Sequence, residues 1–258
     1  MQAILYVGHG SRVKEGNEQL RAFVHKVQNL FSHIPIQEIG FIELESPTIR
    51  EGLKACVVQG ATKITVIPIL LLSAGHAKQD IPDELSDFQD EYPNVRIRYG
   101  RPIGVEKGVI RILQDRLETV NIPKLNQKPL QTERLPQTVL LIGRGSSDPD
   151  ANSDLCKIAR LLWEFTPVKQ VEVCFLAATE PTLEEGIEKI LRSETEKLIL
   201  LPYLLFTGVL MKSLEQKKKV IESQGRKQVK LADYLGFDHQ LVPIISKRVE
   251  EVLEESDE

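Results

Sequence analysis

Long apolar runs, paired cysteines and an excess of either charge are all missing from this chain of 258 residues. The longest mostly apolar stretch, Leu198 to Met211, contains Pro202 and falls short of the ~20 residues that a membrane-spanning helix needs. Formal net charge is −4. General nucleic-acid and anionic-membrane binders are thereby excluded, because both need a basic face. Cys56, Cys156 and Cys174 are far apart and form no Cys-x-x-Cys pair, which excludes a disulfide framework and a thiolate metal site. They are expected to be three small buried hydrophobes in a reducing compartment. No basic segment precedes the first apolar run, so no signal peptide is expected and a cytoplasmic protein is. Several catalytic signatures are also absent. After Gly8-His9-Gly10, the third glycine of a dinucleotide fingerprint would fall at Val13; in the later copy of this segment it would fall at Asp148. A histidine-phosphatase motif would need an arginine where Gly8 stands. There is no Gly-x-Ser-x-Gly elbow and no phosphate loop.

What is present is a duplication. Ile4-Leu5-Tyr6-Val7-Gly8-His9-Gly10-Ser11 returns as Val139-Leu140-Leu141-Ile142-Gly143-Arg144-Gly145-Ser146. Phe41 to Thr48 returns as Phe175 to Thr182, with Pro47 and Pro181 aligned. Ile67 to Leu72 returns as Leu201 to Phe206. Against His9, Glu43 and His76 of the first copy stand Arg144, Ala177 and either Val209 or Leu210 of the second. A scaffold kept twice with a polar trio kept once points to a single site in the N-terminal half.

Apolar residues make up 41% of the chain, enough for a core in each half. Short apolar runs alternate with amphipathic segments. Strands are expected at Ala3–Val7, Ile36–Ile42, Lys63–Leu72 and Val95–Tyr99, and helices at 16–31, after Ser46-Pro47, near 79–90 and at 105–118. Ser46 is expected to cap the second helix with Pro47 at its first position, and Gly60 to close it. Strands recur near Thr138–Ile142, Gln170–Phe175, Lys197–Tyr203 and Gln228–Leu231, with a last helix from about His239 and a solvated acidic tail. The fold class is α/β: two similar domains, each a parallel β-sheet flanked by helices. The proline-rich, aperiodic stretch 121–136 reads as a linker between residues 1–120, which carry the site, and residues 137–258, which lack it.

In open parallel sheets ligands bind beyond the carboxyl ends of the strands. His9, Glu43 and His76 all emerge there, from neighbouring strands ~4.8 Å apart. Two imidazoles and a carboxylate suit a borderline divalent ion such as Fe²⁺, Co²⁺ or Ni²⁺, and they can accept protons near neutral pH. Gly8 and Gly10 around His9, and Gly75 before His76, are expected to give tight turns that leave the imidazoles uncovered. Glu45 competes with Glu43, since both point to one side of a strand, but it lies beside the helix start and is expected to be solvated. His25 and His33 are expected at the surface, and His239 at the start of a helix.

A strand ending in Gly8-His9-Gly10-Ser11-Arg12, then Phe41-x-Glu43-x-x-x-Pro47-Thr48, then an aliphatic strand leading to Gly75-His76-x-x-x-Asp80-Ile81-Pro82, resembles the class II tetrapyrrole chelatases of the CbiX/SirB type. The resemblance spans essentially the whole chain. It implies insertion of Fe²⁺ or Co²⁺ into sirohydrochlorin, with the metal as a substrate, no cofactor, His9 and His76 as the metal-handling histidines and Glu43 as the acidic residue. Long cobalt-type members carry a His-rich segment and a cysteine-rich tail; neither occurs here, which favours iron. A tetrapyrrole with many carboxylates would be gripped by Arg12, Lys78, Arg144 and Lys212. Phe206, Val209, Leu210 and Met211 suit either the macrocycle face or a core. The expected partner is the tetrapyrrole alone, and the expected state a monomer. A metal or tetrapyrrole carrier that does not catalyse is the competing class; a nucleotide-binding enzyme is disfavoured by the missing glycines.

Overall fold

The computed structural model describes residues 1–127, 129–130, 134–206, 210–225 and 227–254. In the first half β1 (Gln2–Gly8), β2 (Ile36–Phe41), β3 (Lys63–Pro68) and β4 (Arg96–Tyr99) alternate with α1 (Lys14–Gln28), α2 (Ile49–Val58), α3 (Ile81–Glu91) and α4 (Lys107–Glu118). The second half repeats the order: β5 (Leu135–Gly143), α5 (Pro149–Glu164), β6 (Val168–Phe175), α6 (Leu183–Leu191), β7 (Lys197–Pro202), α7 (Leu210–Ser223), β8 (Gln228–Leu231) and α8 (Val242–Glu254). The sheets are parallel, with strand orders β2-β1-β3-β4 and β6-β5-β7-β8. The central strands are uninterrupted aliphatic runs because helices cover both of their faces. From Ala3 to Val7 and from Val139 to Ile142 no side chain is exposed.

The polypeptide forms two compact units, and their boundaries differ from those of the repeat. One unit comprises Met1–Gly104 with Phe237–Glu258, the other Val105–Gly236. The division expected at 121–136 therefore does not separate them. α4, the last helix of the first repeat, belongs to the second unit, where Arg116 donates to the carbonyls of Tyr234 and Leu235 at 2.9 Å each. α8, the last helix of the second repeat, belongs to the first unit. Its Arg248 is fully buried and donates to the carbonyls of Pro102 (3.0 Å) and Ile103 (2.7 Å) and to Glu251 (3.1 Å). Arg98 donates to the carbonyl of Val252, also on α8, at 3.2 Å. A buried guanidinium is tolerated because its donors are used up in this way.

Several local expectations are corrected. Thr48, not Ser46, caps α2: its side chain accepts from the Glu51 N–H while Glu51 accepts from the Thr48 N–H at 2.7 Å, a closed capping box. Pro47 lies in the loop alongside β2, its carbonyl accepting from the Phe41 N–H at 2.9 Å. Thr182 and Glu185 repeat the box at the start of α6. β3 ends at Pro68 rather than Leu72, since Leu70 and Leu71 turn to accept from the Ile103 and Gly104 N–H groups. β5 begins at Leu135, inside the expected linker. Arg134 fastens that entry, stacking on Trp163 at 3.7 Å and donating to the carbonyls of Trp163, Thr166 and Val168. Cys56 and Cys174 are buried, and burial pushes both thiols up to about 12, but Cys156 is exposed on α5. The expected acidic tail lies largely outside the described residues. Among the described residues no helix is long and apolar enough to cross a membrane.

Arg248→Ala would strand two buried carbonyls and loosen α8 from the first unit. A loss of about 3 kcal/mol in urea unfolding is expected; a change below about 1 kcal/mol would show that the guanidinium anchors nothing.

Candidate metal centre

The site is assembled by hydrogen bonding that continues past the strand ends. β1 and β2 pair up to Gly8 and Phe41. The Ile42 N–H then donates to the Gly8 carbonyl at 2.9 Å, and the Glu43 N–H to the His9 carbonyl at 3.1 Å. Two chain segments leaving the sheet are thus held side by side, and His9 and Glu43 become neighbours. Gly10 closes the arrangement. Its φ is +91°, and a Cβ there would lie 1.8 Å from the Glu43 carbonyl oxygen; only glycine allows this approach. His76 arrives from the third strand, on a π-helical turn, His76–Asp80, that runs directly into α3. Such turns recur at functional positions. Tyr99, at the end of β4, donates its hydroxyl to the Ala77 carbonyl at 3.0 Å and fixes the turn. Burial raises the Tyr99 phenol above its ordinary range, so it stays a donor.

One ligand atom from each of His9, Glu43 and His76 falls within 4.8 Å of the others, and among the described residues this is the one group of three or more potential ligands close enough to hold an ion. His9 Nε2 lies 3.5 Å from Glu43 Oε1. The imidazole rings meet edge to face, with centroids 4.8 Å apart and planes at 84°. The Nδ1 of His9 lies 3.1 Å from the Gly10 carbonyl, which can only accept, so Nδ1 carries the proton and Nε2 offers its lone pair. The Nδ1 of His76 lies 2.6 Å from Asp80 Oδ2, with the same consequence. The side chains of His9, Glu43 and His76 are 15%, 49% and 36% exposed, so an ion can enter from solvent and leave again. Two nitrogens and one carboxylate with open positions could hold a divalent ion transiently and do not form a closed structural cage.

Glu45 takes no part in the cluster. It accepts from Asn17 Nδ2 at 2.5 Å and pairs with Arg21 at 3.2 Å, so it is tied to α1 rather than solvated. Gly75 does not play the part expected of it: its backbone is right-handed helical, and a Cβ there would meet nothing within 4 Å. Arg12 and Lys78 are exposed in the same unit as the trio, Arg12 three residues beyond His9 and Lys78 two beyond His76. Arg144 and Lys212 are exposed in the other unit. Leu210 and Met211 pack against the core of that unit; Val209 lies outside the described residues. Asp80 stands in the motif from Gly75 to Pro82, but the sequence alone assigns it no role. Its signal was the four-residue spacing from His76, which puts two side chains on one face of a helical turn.

The second unit keeps the loop without the histidine and the glutamate. The Leu176 and Ala177 N–H groups donate to the Gly143 and Arg144 carbonyls at 3.0 Å each. Gly145, with φ +87°, approaches the Ala177 carbonyl as Gly10 approaches that of Glu43. Yet Arg144 and Ala177 stand where His9 and Glu43 stand in the first.

A duplicated α/β scaffold with one two-histidine, one-carboxylate cluster beyond the strand ends of a parallel sheet is the architecture of a metal chelatase. The CbiX family model matches residues 3–120 and again 138–252, and the chain belongs to that family. A sirohydrochlorin ferrochelatase of Priestia megaterium is 42% identical over 253 residues, covering 98% of this chain and 91% of the relative. A sirohydrochlorin cobaltochelatase of the same organism is 43% identical over 255 residues, covering 98% of this chain and 81% of the relative. The solved structure of SirB from Bacillus subtilis with Fe³⁺ superimposes with a TM-score of 0.84 at 42% identity, covering 99% of this chain and 97% of that one.

The two glycines beside the histidines should separate cleanly on mutation. Gly10→Ala is expected to cost at least about 2 kcal/mol, since the backbone must leave its left-handed conformation and push Glu43 away. Gly75→Ala should be neutral or stabilising by up to about 1 kcal/mol. Urea unfolding of both variants checks this; equal losses would contradict the loop geometry.

Proposed function

We propose that this protein inserts Fe²⁺ into sirohydrochlorin to give siroheme, with the ion as a substrate and no cofactor. The observation that carries the reading is the convergence of His9, Glu43 and His76 at an open sheet edge; the names of the full-length relatives supply the macrocycle. In this reading the Nε2 lone pairs of His9 and His76 and a Glu43 oxygen take the ion from water. Insertion forms bonds from the metal to the ring nitrogens and expels two pyrrolic protons. As the ion leaves, the imidazole lone pairs are released and receive those protons. Glu43, 3.5 Å from His9 Nε2, stabilises the imidazolium that results. The ion must be held weakly enough to be surrendered, which three partly exposed ligands permit and a thiolate cage does not. Arg12, Lys78, Arg144 and Lys212 are the cations proposed to meet the carboxylates of the macrocycle. The protein is proposed to act as a monomer in the cytoplasm, without nucleic acid or membrane.

A cobalt reading shares every residue and is favoured by one observation, the cobaltochelatase relative at 43% identity. A carrier reading shares the site but not the turnover. Sirohydrochlorin and Fe²⁺ or Co²⁺, mixed anaerobically with purified protein and followed by absorbance against a no-protein control, distinguish all three. Repeated turnover, faster with Fe²⁺, is expected. A spectral change that stops at one equivalent of protein means a carrier, and preference for Co²⁺ means a cobaltochelatase. His9→Ala, Glu43→Gln and His76→Ala should each slow insertion by at least about 100-fold with unchanged thermal unfolding. A variant that keeps near-normal rate removes its residue from the mechanism.

A further inference from the structure

The two imidazoles of the cluster are not held alike. His9 turns its Nδ1 to a neutral peptide carbonyl, that of Gly10, at 3.1 Å. His76 turns its Nδ1 to a carboxylate, that of Asp80, at 2.6 Å. A hydrogen bond to an ionised acceptor is shorter and stronger than one to a neutral one. It holds the ring at a fixed angle, keeps the proton on Nδ1, and pushes electron density toward Nε2, which makes that nitrogen the better donor to a metal. Among the described residues His76 is the one hydrogen-bond or ion-pair partner of the Asp80 side chain. Asp80 lies at the junction of the π turn and α3, yet its side chain accepts nothing from the first turn of that helix. It is more than half exposed, with 56% of its side chain in solvent, so the pair adds little to the stability of the fold. The turn itself is already fastened by the Tyr99 hydroxyl on the Ala77 carbonyl.

We propose that Asp80 is a positioning residue that makes His76 the stronger of the two histidine ligands, so that the metal ion is docked chiefly on His76 and His9 is the ligand more easily given up to the macrocycle. The inference rests on the chelatase reading of the cluster and adds to it an order of strength between two residues of the same type.

The test uses Co²⁺ alone as a spectroscopic probe of the full-length protein, titrated into the wild type, Asp80→Asn, Asp80→Glu, His76→Ala and His9→Ala, with thermal unfolding recorded for each. Asp80→Asn keeps an oxygen that can accept from Nδ1 but removes its charge. It should weaken Co²⁺ binding by about 10-fold or more, leave unfolding unchanged, and in turnover raise KM for the metal while KM for sirohydrochlorin stays put. Asp80→Glu should recover part of the loss. His76→Ala should weaken binding more than His9→Ala. Wild-type Co²⁺ affinity in Asp80→Asn overturns the proposal, as does a loss matched by a fall in thermal stability, or a greater loss in His9→Ala than in His76→Ala. If His76→Ala binds Co²⁺ as the wild type does, the cluster is not the metal site and the chelatase reading falls with the inference. If His76→Ala is impaired while Asp80→Asn is not, the inference alone fails.

Discussion

Two hydrogen bonds beyond the end of a sheet, Ile42 N–H to Gly8 and Glu43 N–H to His9, hold the functional architecture together. Parallel strands ordinarily part company where their ladder stops, because each chain must turn away into its own helix. Here the ladder is extended by two rungs of irregular backbone, and the Gly10 main chain is pressed against the Glu43 carbonyl. The consequence is that a histidine and a glutamate far apart in sequence are brought by main-chain bonds into one small region, where their side chains meet at 3.5 Å. His76 then needs only to reach that region from β3, the other neighbour of β1. The chemistry of the site is thus borrowed from main-chain geometry, which is rigid, rather than from side-chain packing, which is less so.

The duplicate unit shows what belongs to the scaffold and what belongs to the chemistry. Leu44 has φ +66° in one loop and Ala178 has φ +64° in the other. Left-handed backbone at a non-glycine residue costs energy and often signals function. In this protein it recurs where the histidine and glutamate have been replaced by Arg144 and Ala177, so the strain is a property of the loop and not of ion handling. The same holds for the Thr48 and Thr182 capping boxes, which start α2 and α6 whether or not a ligand precedes them. The side chains of Ser11 and Asn17, and of Ser146 and Asn152, likewise brace both loops, with Asn17 and Asn152 each donating to the preceding serine carbonyl at 2.8 Å.

Much of this was legible in the residues. β1, β5 and β7 could be placed to within a few residues, because a strand buried on both faces leaves an aliphatic run with few alternatives. The trio stood out because the comparison was internal: one copy served as the control for the other. What stayed hidden depends on information that no local pattern carries. α4 and α8 have ordinary amphipathic stripes, and a stripe says that a face is buried but not against which sheet. Ser46-Pro47 has the composition of a helix start, yet the reciprocal bonds of Thr48 and Glu51, one turn apart, win the cap. Gly75 looked like a twin of Gly10, but only the fold tells a glycine pressed against a carbonyl from one facing open space. Asp80 is part of the motif that carries the resemblance, but a carboxylate after a histidine in sequence has no assignable role until the turn between them is known to be helical.

The burial of Arg248 has a kinetic side. Its guanidinium meets the carbonyls of Pro102 and Ile103 across a sequence separation of 146 and 145 residues. Closing a loop of that length costs about 4 kcal/mol of chain entropy before any contact repays it, and pairings so distant are slow to form. The unit that contains residues 1–104 therefore cannot be sealed until α8 has been made. Until then the sheet of β1 to β4, which bears the histidines, lacks the helix that packs on β3.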